Sequence, residues 1–339
     1  MVATLRQFRW GAAQAGISLS LASSAWLLSG LTSSPLINSM LPALTTLPAL
    51  LSFQRRASGY ALTLTGSALL ILLCSPLATN LNSALAISGV MLCALVVSLG
   101  QDLSQLPLQQ ELLSSRLLSF PQLRRGSELG SVAGFALTGL ILPGWHQFMP
   151  AALLLLPLLP TMLRAHQTHQ RPTKLPGFHP AAALQGLVFS GLFALLPLWI
   201  RTMAAGNCFN FGMVLMAYAI GRSLITTSLD HACWRIYLVI ASLLATASIS
   251  PGWLTPLLFL AIGTLATSLD HQLVAQIRPN DPVIGWQVLQ RSGAIGGLAG
   301  VLIVGSTAQL SGLSTAFVLQ IGLLLAAPAL LNRFNATRA

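Results

Sequence analysis

An all-α integral membrane protein with twelve transmembrane helices is the fold class this sequence predicts, and three observations predict it. The first is scarcity of charge. The chain holds 17 Lys or Arg and 6 Asp or Glu in 339 residues, or 7%, whereas a soluble domain carries about a quarter. The second is that these charges stand in short clusters between apolar runs of about 17–25 residues, the length a helix needs to cross hydrocarbon. The third is the side on which they fall. With the N-terminus inside and twelve spans, Arg6, Arg9, Arg55, Arg56, Arg116, Arg124, Arg125, Arg164, Arg171, Lys174, Arg235, Arg278, Arg333 and Arg338 lie in inward segments, and only Arg201 lies outward. Basic residues accumulate in cytoplasmic loops, so one span more or fewer would reverse every later loop and destroy the split.

In chain order the spans are expected near 11–30, 34–53, 59–77, 82–100, 127–143, 148–165, 181–201, 208–229, 233–249, 252–272, 283–304 and 311–331. The first is followed at once by another span and has no A-x-A-like site, so it is not read as a cleaved signal peptide. Runs such as Ala151–Leu159 do not alternate in polarity, which excludes a β-barrel. Span five carries Gly130, Gly134 and Gly139, and span eleven, six spans later, carries Gly296 and Gly300. Small residues at this spacing let helix backbones approach closely in lipid. Between spans six and seven the stretch RAHQTHQRPTKLPGFHP (164–180) is polar and holds three prolines, which marks an exposed linker. The expected organisation is therefore a six-helix bundle over 1–165, a cytoplasmic linker over 166–180 and a second six-helix bundle over 181–339. Parallel six-span repeats of this kind are a transporter architecture.

The net charge of +11 is dispersed over the inward segments rather than gathered on one face, so anionic inner-leaflet headgroups are the expected partner and nucleic acid is not. Both termini are expected in the cytoplasm, with the chain a monomer in the plasma (inner) membrane. Cys74, Cys93, Cys208 and Cys233 form no C-x-x-C pair and read as small buried residues. His166, His169 and His179 have no cysteine or carboxylate near them, so no metal site or cofactor is expected. The absence of G-x-x-x-x-G-K-[ST] leaves no ATP-binding motif. H-E-x-x-H is also missing, and the outer loops contain no acid; an enzyme is not expected.

Three stretches carry a family likeness. SSAWLLSGLTSSPLINSMLPALTTLPALL (23–51), followed by QRR (54–56), resembles the first two helices of the major facilitator superfamily, most closely its drug and siderophore exporters. QELLSSRLLSFPQLRRGSELGSVAGFALTGLIL (110–142) is similar to the segment leading into and forming that branch's fifth helix, with Phe135 where the family has proline. WQVLQRSGAIGGLAGVLIVGS (286–306) looks like its glycine-rich eleventh helix. The resemblance implies alternating access between two six-helix halves and export of a small amphipathic molecule. It also implies conformational latches at the inner loops: Arg55 and Arg56 remain in the first, which has lost the family's glycine and aspartate, while the second keeps Asp230 and Arg235. Arg124 and Arg125 are placed to strengthen a latch.

Ionisable groups inside a membrane are costly and therefore functional candidates. Arg222 in span eight and Arg291 in span eleven, with Gln287 and Gln290 beside the latter, are the candidates for substrate binding or gating. Gln14, Trp26 and Asn38 are the further polar or aromatic candidates for a cavity lining, with Trp26 equally readable as an interfacial belt residue. All six acids are expected at inner helix ends or in loops, Glu128 as an N-terminal helix charge, so no mid-membrane carboxylate is expected. The competing expectation, from another class, is a carrier-like fold that no longer transports and serves as a membrane scaffold or assembly factor.

Overall fold

The computed structural model describes residues 2–50, 59–74, 82–114, 120–141, 177–202, 206–225, 233–249, 252–277 and 282–336. Within them the regular structure is entirely α-helical. Five helical stretches are long and apolar enough to cross a membrane: Ser83–Leu103, Pro180–Thr202, Thr255–Ile277, Gly285–Ser311 and Leu313–Leu331. Cys208–Leu224 and Cys233–Ile249 are shorter apolar helices. The sixth expected span, most of the 166–180 linker, and Arg55, Arg56 and Asp230 lie outside the described residues.

The chain separates into two compact units. The first takes Met1–Thr32, Leu51–Lys174 and Asn207–Ile220. It contains α1 (Val2–Leu31), α3 (Gly59–Cys74), α4 (Ser83–Ser114), α5 (Phe120–Ile141) and most of α8 (Cys208–Leu224). Here α1 packs along α5, and α3 along α4. The α1–α5 contact is close because both helices are thinned where they meet: a Cβ on Gly130 would be driven into the carbonyl of Gly11, and one on Gly134 into that of Ala15. Polar side chains flank this seam, with Trp10 Nε1 donating to Ser127 Oγ at 2.7 Å and Ser18 Oγ donating to Ser131 Oγ at 3.0 Å.

The second unit takes Ser33–Leu50, Leu175–Gly206 and Gly221–Ala339. It contains α2 (Pro35–Leu50), α6 (Pro180–Ala194), α7 (Leu196–Thr202), the last turn of α8, α9 (Cys233–Ile249), α10 (Thr255–Ile277), α11 (Pro282–Ser311) and α12 (Leu313–Ala336). Helix α11 is its spine, packing on α6, α2, α12 and α10. Side chains at Gly296 and Gly300 would strike the backbone of α6 at Ala183 and Leu187. On α9 the buried positions Ile236, Tyr237, Ile240, Ala241, Leu244 and Ala247 form one stripe, the 3.6-residue period of a helix with a single packed face.

Local chemistry sets the helix ends. Ser34 precedes Pro35 at the first turn of α2, and its hydroxyl accepts from the Ile37 N–H at 3.4 Å, the usual serine cap with proline behind it. Asn82 and Asn207 cap α4 and α8 through their side-chain oxygens, which accept from Ala84 N–H at 3.2 Å and Asn210 N–H at 3.0 Å. Gly312, at φ +90, turns the chain between α11 and α12, a backbone conformation that glycine adopts without steric cost.

The single span expected over 181–201 is present as the apolar stretch Pro180–Thr202, with its helix interrupted at Leu195, where φ is −105 and ψ is 0, and resumed as α7 from Leu196. Pro197 has no N–H to bond one turn back and its ring crowds the preceding turn. Several helices also run past the apolar stretch that first marks them. Helix α4 continues to Ser114 and carries Asp102 and Glu111, α5 begins at Phe120, and α10 runs on to Ile277.

Candidate functional site

Those longer helices change where the charges stand. Asp270 is inside α10, seven residues before its end, and not at a helix terminus. The apolar positions Leu269, Leu273 and Val274, all buried, continue the packed stripe of α10 on either side of it. Glu128 is likewise eight residues inside α5, so it is not an N-terminal helix charge, and Arg124 and Arg125 stand in the first turns of that helix rather than before it.

Asp270 is joined to Arg222, the substrate or gating candidate of α8. Arg222 Nη1 lies 3.2 Å from Asp270 Oδ2, and the two side chains are 20% and 13% exposed. Gly221 creates the approach: a Cβ there would collide with the carbonyl of Leu260, so the backbone of α8 lies directly on α10. One residue on, Arg222 reaches along α10 to the carboxylate, and its own carbonyl accepts from Thr267 Oγ1 at 3.4 Å. A third helix joins through Gln185 of α6, whose Nε2 donates to Asp270 Oδ1 at 2.6 Å. Tyr237 of α9 is completely buried and within electrostatic reach of Asp270. Side chains of α6 and α8 thus converge on one carboxylate of α10. Charge this far into an apolar bundle is expensive, and partners are what make it tolerable.

Asp270, Gln185 and Tyr237 were not anticipated. The signal that could have revealed the first is the continuing apolar stripe after Asp270, which places it on a helix face rather than at an end. Gln185 stands in AAALQGLVF, where one amide interrupts an apolar run.

The other candidates are placed as follows. Arg291 and Gln287 are partly buried on α11, and Gln290 is exposed; nearby, the wholly buried Ser292 accepts from the His179 N–H at 3.0 Å and ties the start of α6 to α11. Asn38 is buried on α2, and its amide donates to the Ser34 carbonyl at 2.9 Å, one turn back. Gln14 is partly buried at the α1–α5 seam. Trp26 is buried and stacks on Phe211 at 5.5 Å between ring centroids, both within the first unit. It does not stand outward as a belt residue would. Among the described residues the exposed tryptophans are Trp234, in the first turn of α9, and Trp253, beyond its end. Arg235 is exposed with its guanidinium 5.4 Å from the centre of the Trp234 ring. Gly139 packs on the backbone of α8 at Phe209 and Gly212. Cys93, Cys208 and Cys233 are not in disulfides, the Cys208 thiol donating to the Thr138 carbonyl at 3.4 Å, and no grouping of three metal-ligating side chains exists among the described residues.

The fold is that of the major facilitator-type transporters, an all-helical membrane architecture. A mutant form of the nucleoside transporter NupG superposes with a TM-score of 0.65 at 11% identity, covering 98% of this chain and 100% of that one. The human organic anion transporter TETRAN gives 0.58 at 16% identity, covering 97% and 98%, and a further NupG structure gives 0.54 at 13%, covering 98% and 97%. No family model matches the sequence, and no curated protein does.

Proposed function

We propose that this protein is a twelve-span secondary transporter working by alternating access, and that it exports a small amphipathic molecule across the plasma (inner) membrane as a monomer with both termini in the cytoplasm. The observation that carries this reading is the full-length fold likeness, which covers nearly the whole of this chain and of each transporter compared. The named cargoes of those proteins, nucleosides and organic anions, are small polar organic molecules and set the scale of cargo to test first.

The assignment of helices to units supports a two-repeat layout over 1–165 and 181–339. Helix α2 associates with later helices in the second unit, and most of α8 associates with earlier helices in the first. Helix eight is helix two advanced by six, so a repeat of six spans makes these two exchanges equivalents of one another. Within this reading the convergence of α6, α8 and α10 on Asp270 couples helices that must move together, and Arg222 is the residue through which cargo or gating acts. Arg291, Gln287 and Gln290 are the corresponding candidates on α11. Arg124, Arg125 and Arg235, with Arg55, Arg56 and Asp230, are the candidate latches at the inner side, facing anionic headgroups.

Flux into liposomes tests the proposal. The purified chain is reconstituted and followed with a panel of amphipathic dyes, nucleosides and organic anions, against Arg222→Ala and Arg291→Ala. Uptake by the wild-type that falls in a folded variant supports a carrier; absence of uptake across that panel, under imposed ion gradients of either sign, refutes it.

A further inference from the structure

We propose that Arg222 is the receptor for the ionised group of an organic anion, and that Asp270 occupies it in the empty protein as an internal stand-in carboxylate. This rests on the transporter reading and names the class of cargo it would carry.

The pair is built more like an occupied binding site than a sealed clamp. Around it Thr267, Ser268 and Tyr237 are entirely buried, yet Arg222 and Asp270 keep 20% and 13% of their side chains exposed. Part of each charged side chain is therefore left outside the helix packing. Charge-assisted N–H···O bonds settle near about 2.7–2.9 Å, whereas Arg222 Nη1 to Asp270 Oδ2 is 3.2 Å. The tighter bond to Asp270 is the one from Gln185, at 2.6 Å. A free carboxylate, phosphonate or sulfonate could present both oxygens to the planar guanidinium fork, which a side chain held on its other oxygen by Gln185 does less well.

A second, independent observation concerns what Gln185 leaves over. An ionised carboxylate only accepts hydrogen bonds, so the amide nitrogen must face Asp270 and the amide oxygen must face away. That Oε1 is buried on a side chain 4% exposed and has no hydrogen-bond partner; the Tyr237 hydroxyl, on a residue 0% exposed, has none either. Buried groups left unmatched are costly and rare. The Gln185 oxygen requires a donor. A ligand that places its anionic group on Arg222 and a hydroxyl or amide N–H beside that charge would meet both needs, so the class is a small organic anion with an adjacent hydrogen-bond donor.

The test uses the full chain in detergent micelles, with thermal unfolding read against lactate, propionate and lactamide, and sodium chloride matching ionic strength. Lactate has the charge and the donor, propionate the charge alone and lactamide no charge. The wild-type is expected to be stabilised by lactate more than propionate and not by lactamide. In D270N the internal competitor is gone and the competent state is always available, so lactate should bind about tenfold or more tightly. R222Q should lose the effect. If D270N does not fold, R222Q/D270N, which leaves no buried charge unmatched, should fold and show no lactate response while the wild-type keeps its own. Equal responses to lactate and lactamide overturn the proposal. So does a lactate response that survives R222Q, or a folded D270N without any anion response. Flux of a neutral cargo untouched by R222Q would sink this inference and leave the transporter reading standing. Lactate binding with no flux of any cargo would do the reverse.

Discussion

Gly293 and Gly296 stand three residues apart on α11, and the structure makes opposite predictions for an added methyl group at each. At Gly296 a Cβ would enter the carbonyl of Ala183 and crowd the carbonyl carbon and Cα behind it. These are backbone atoms of α6 and cannot rotate away, so the helices must separate. Overpacking of this kind costs about 1–3 kcal/mol, only partly offset by the gain of up to about 1 kcal/mol from replacing glycine by alanine within a helix. At Gly293 the nearest atom to a Cβ is the Ala182 carbonyl oxygen at 3.8 Å, and the next is Gly186 Cα at 4.0 Å. There the propensity gain acts alone. Gly293→Ala is therefore expected to be as stable as the wild-type or up to about 1 kcal/mol more so, and Gly296→Ala up to about 2 kcal/mol less stable once the two terms are set against each other. Denaturant unfolding in micelles, followed by tryptophan fluorescence, measures both. Equal stabilities, or a Gly293→Ala variant less stable than Gly296→Ala, would refute the packing of α11 on α6 described here.

Three other outcomes follow from the same geometry. Trp26→Ala removes a buried ring stacked on Phe211 and should cost about 3–5 kcal/mol, whereas Trp253→Ala removes an exposed ring and should change stability by no more than about 0.5 kcal/mol; denaturant unfolding of both separates them. Gln320 of α12 is buried, its amide donates to the Val188 carbonyl of α6, and its own oxygen has no partner. Gln320→Leu, similar in size and without the unmatched acceptor, should leave the unfolding midpoint unchanged or raise it, and a loss of more than about 1 kcal/mol would show the amide to be needed. Ser34→Ala removes a hydroxyl that caps α2 and donates to Gln309 Oε1 of α11 at 2.8 Å; the expected cost is about 1 kcal/mol, read by unfolding, and no cost would refute the cap.

What the sequence made legible was the part governed by long-range composition. Apolar run length marks helices because a spanning segment must satisfy its backbone internally, and α10, α11 and α12 fall where such runs predict them. Glycine spacing was also informative: Gly130, Gly134, Gly139, Gly296 and Gly300 all stand where another helix backbone comes close. What the runs could not locate was where a helix stops after leaving its most apolar stretch. Reading α10 as ended near residue 272 placed Asp270 in a terminal turn and concealed its pairing. The true extent depends on Leu273, Val274 and Ile277, which keep the period after the polar Asp270–Gln272 segment. Trp26 illustrates a different limit. An aromatic near a span's end suits an interface equally well as a core, and only the presence of Phe211, 185 positions later in the chain, decides between them.

The Arg222–Asp270 pair carries a cost that stability alone does not explain. The chain has only six acids, and one of them stands within α10 against one of the two arginines that the sequence places inside spans. Two apolar side chains of similar volume would pack there without desolvating any charge, and such replacements are often neutral or stabilising by about 1–4 kcal/mol. A pair kept for structure would be expected to close fully around its charges, since each exposed face weakens the attraction between them. Here the nearby Thr267, Ser268 and Tyr237 are closed while the two charges remain partly open. That distribution is what a guanidinium needs if it must exchange one anion for another: enough burial to make the anion's charge count, and enough access for the exchange to occur. Asp270 is the partner that must return to the same place each time the site empties, and Gln185 holds it near that place.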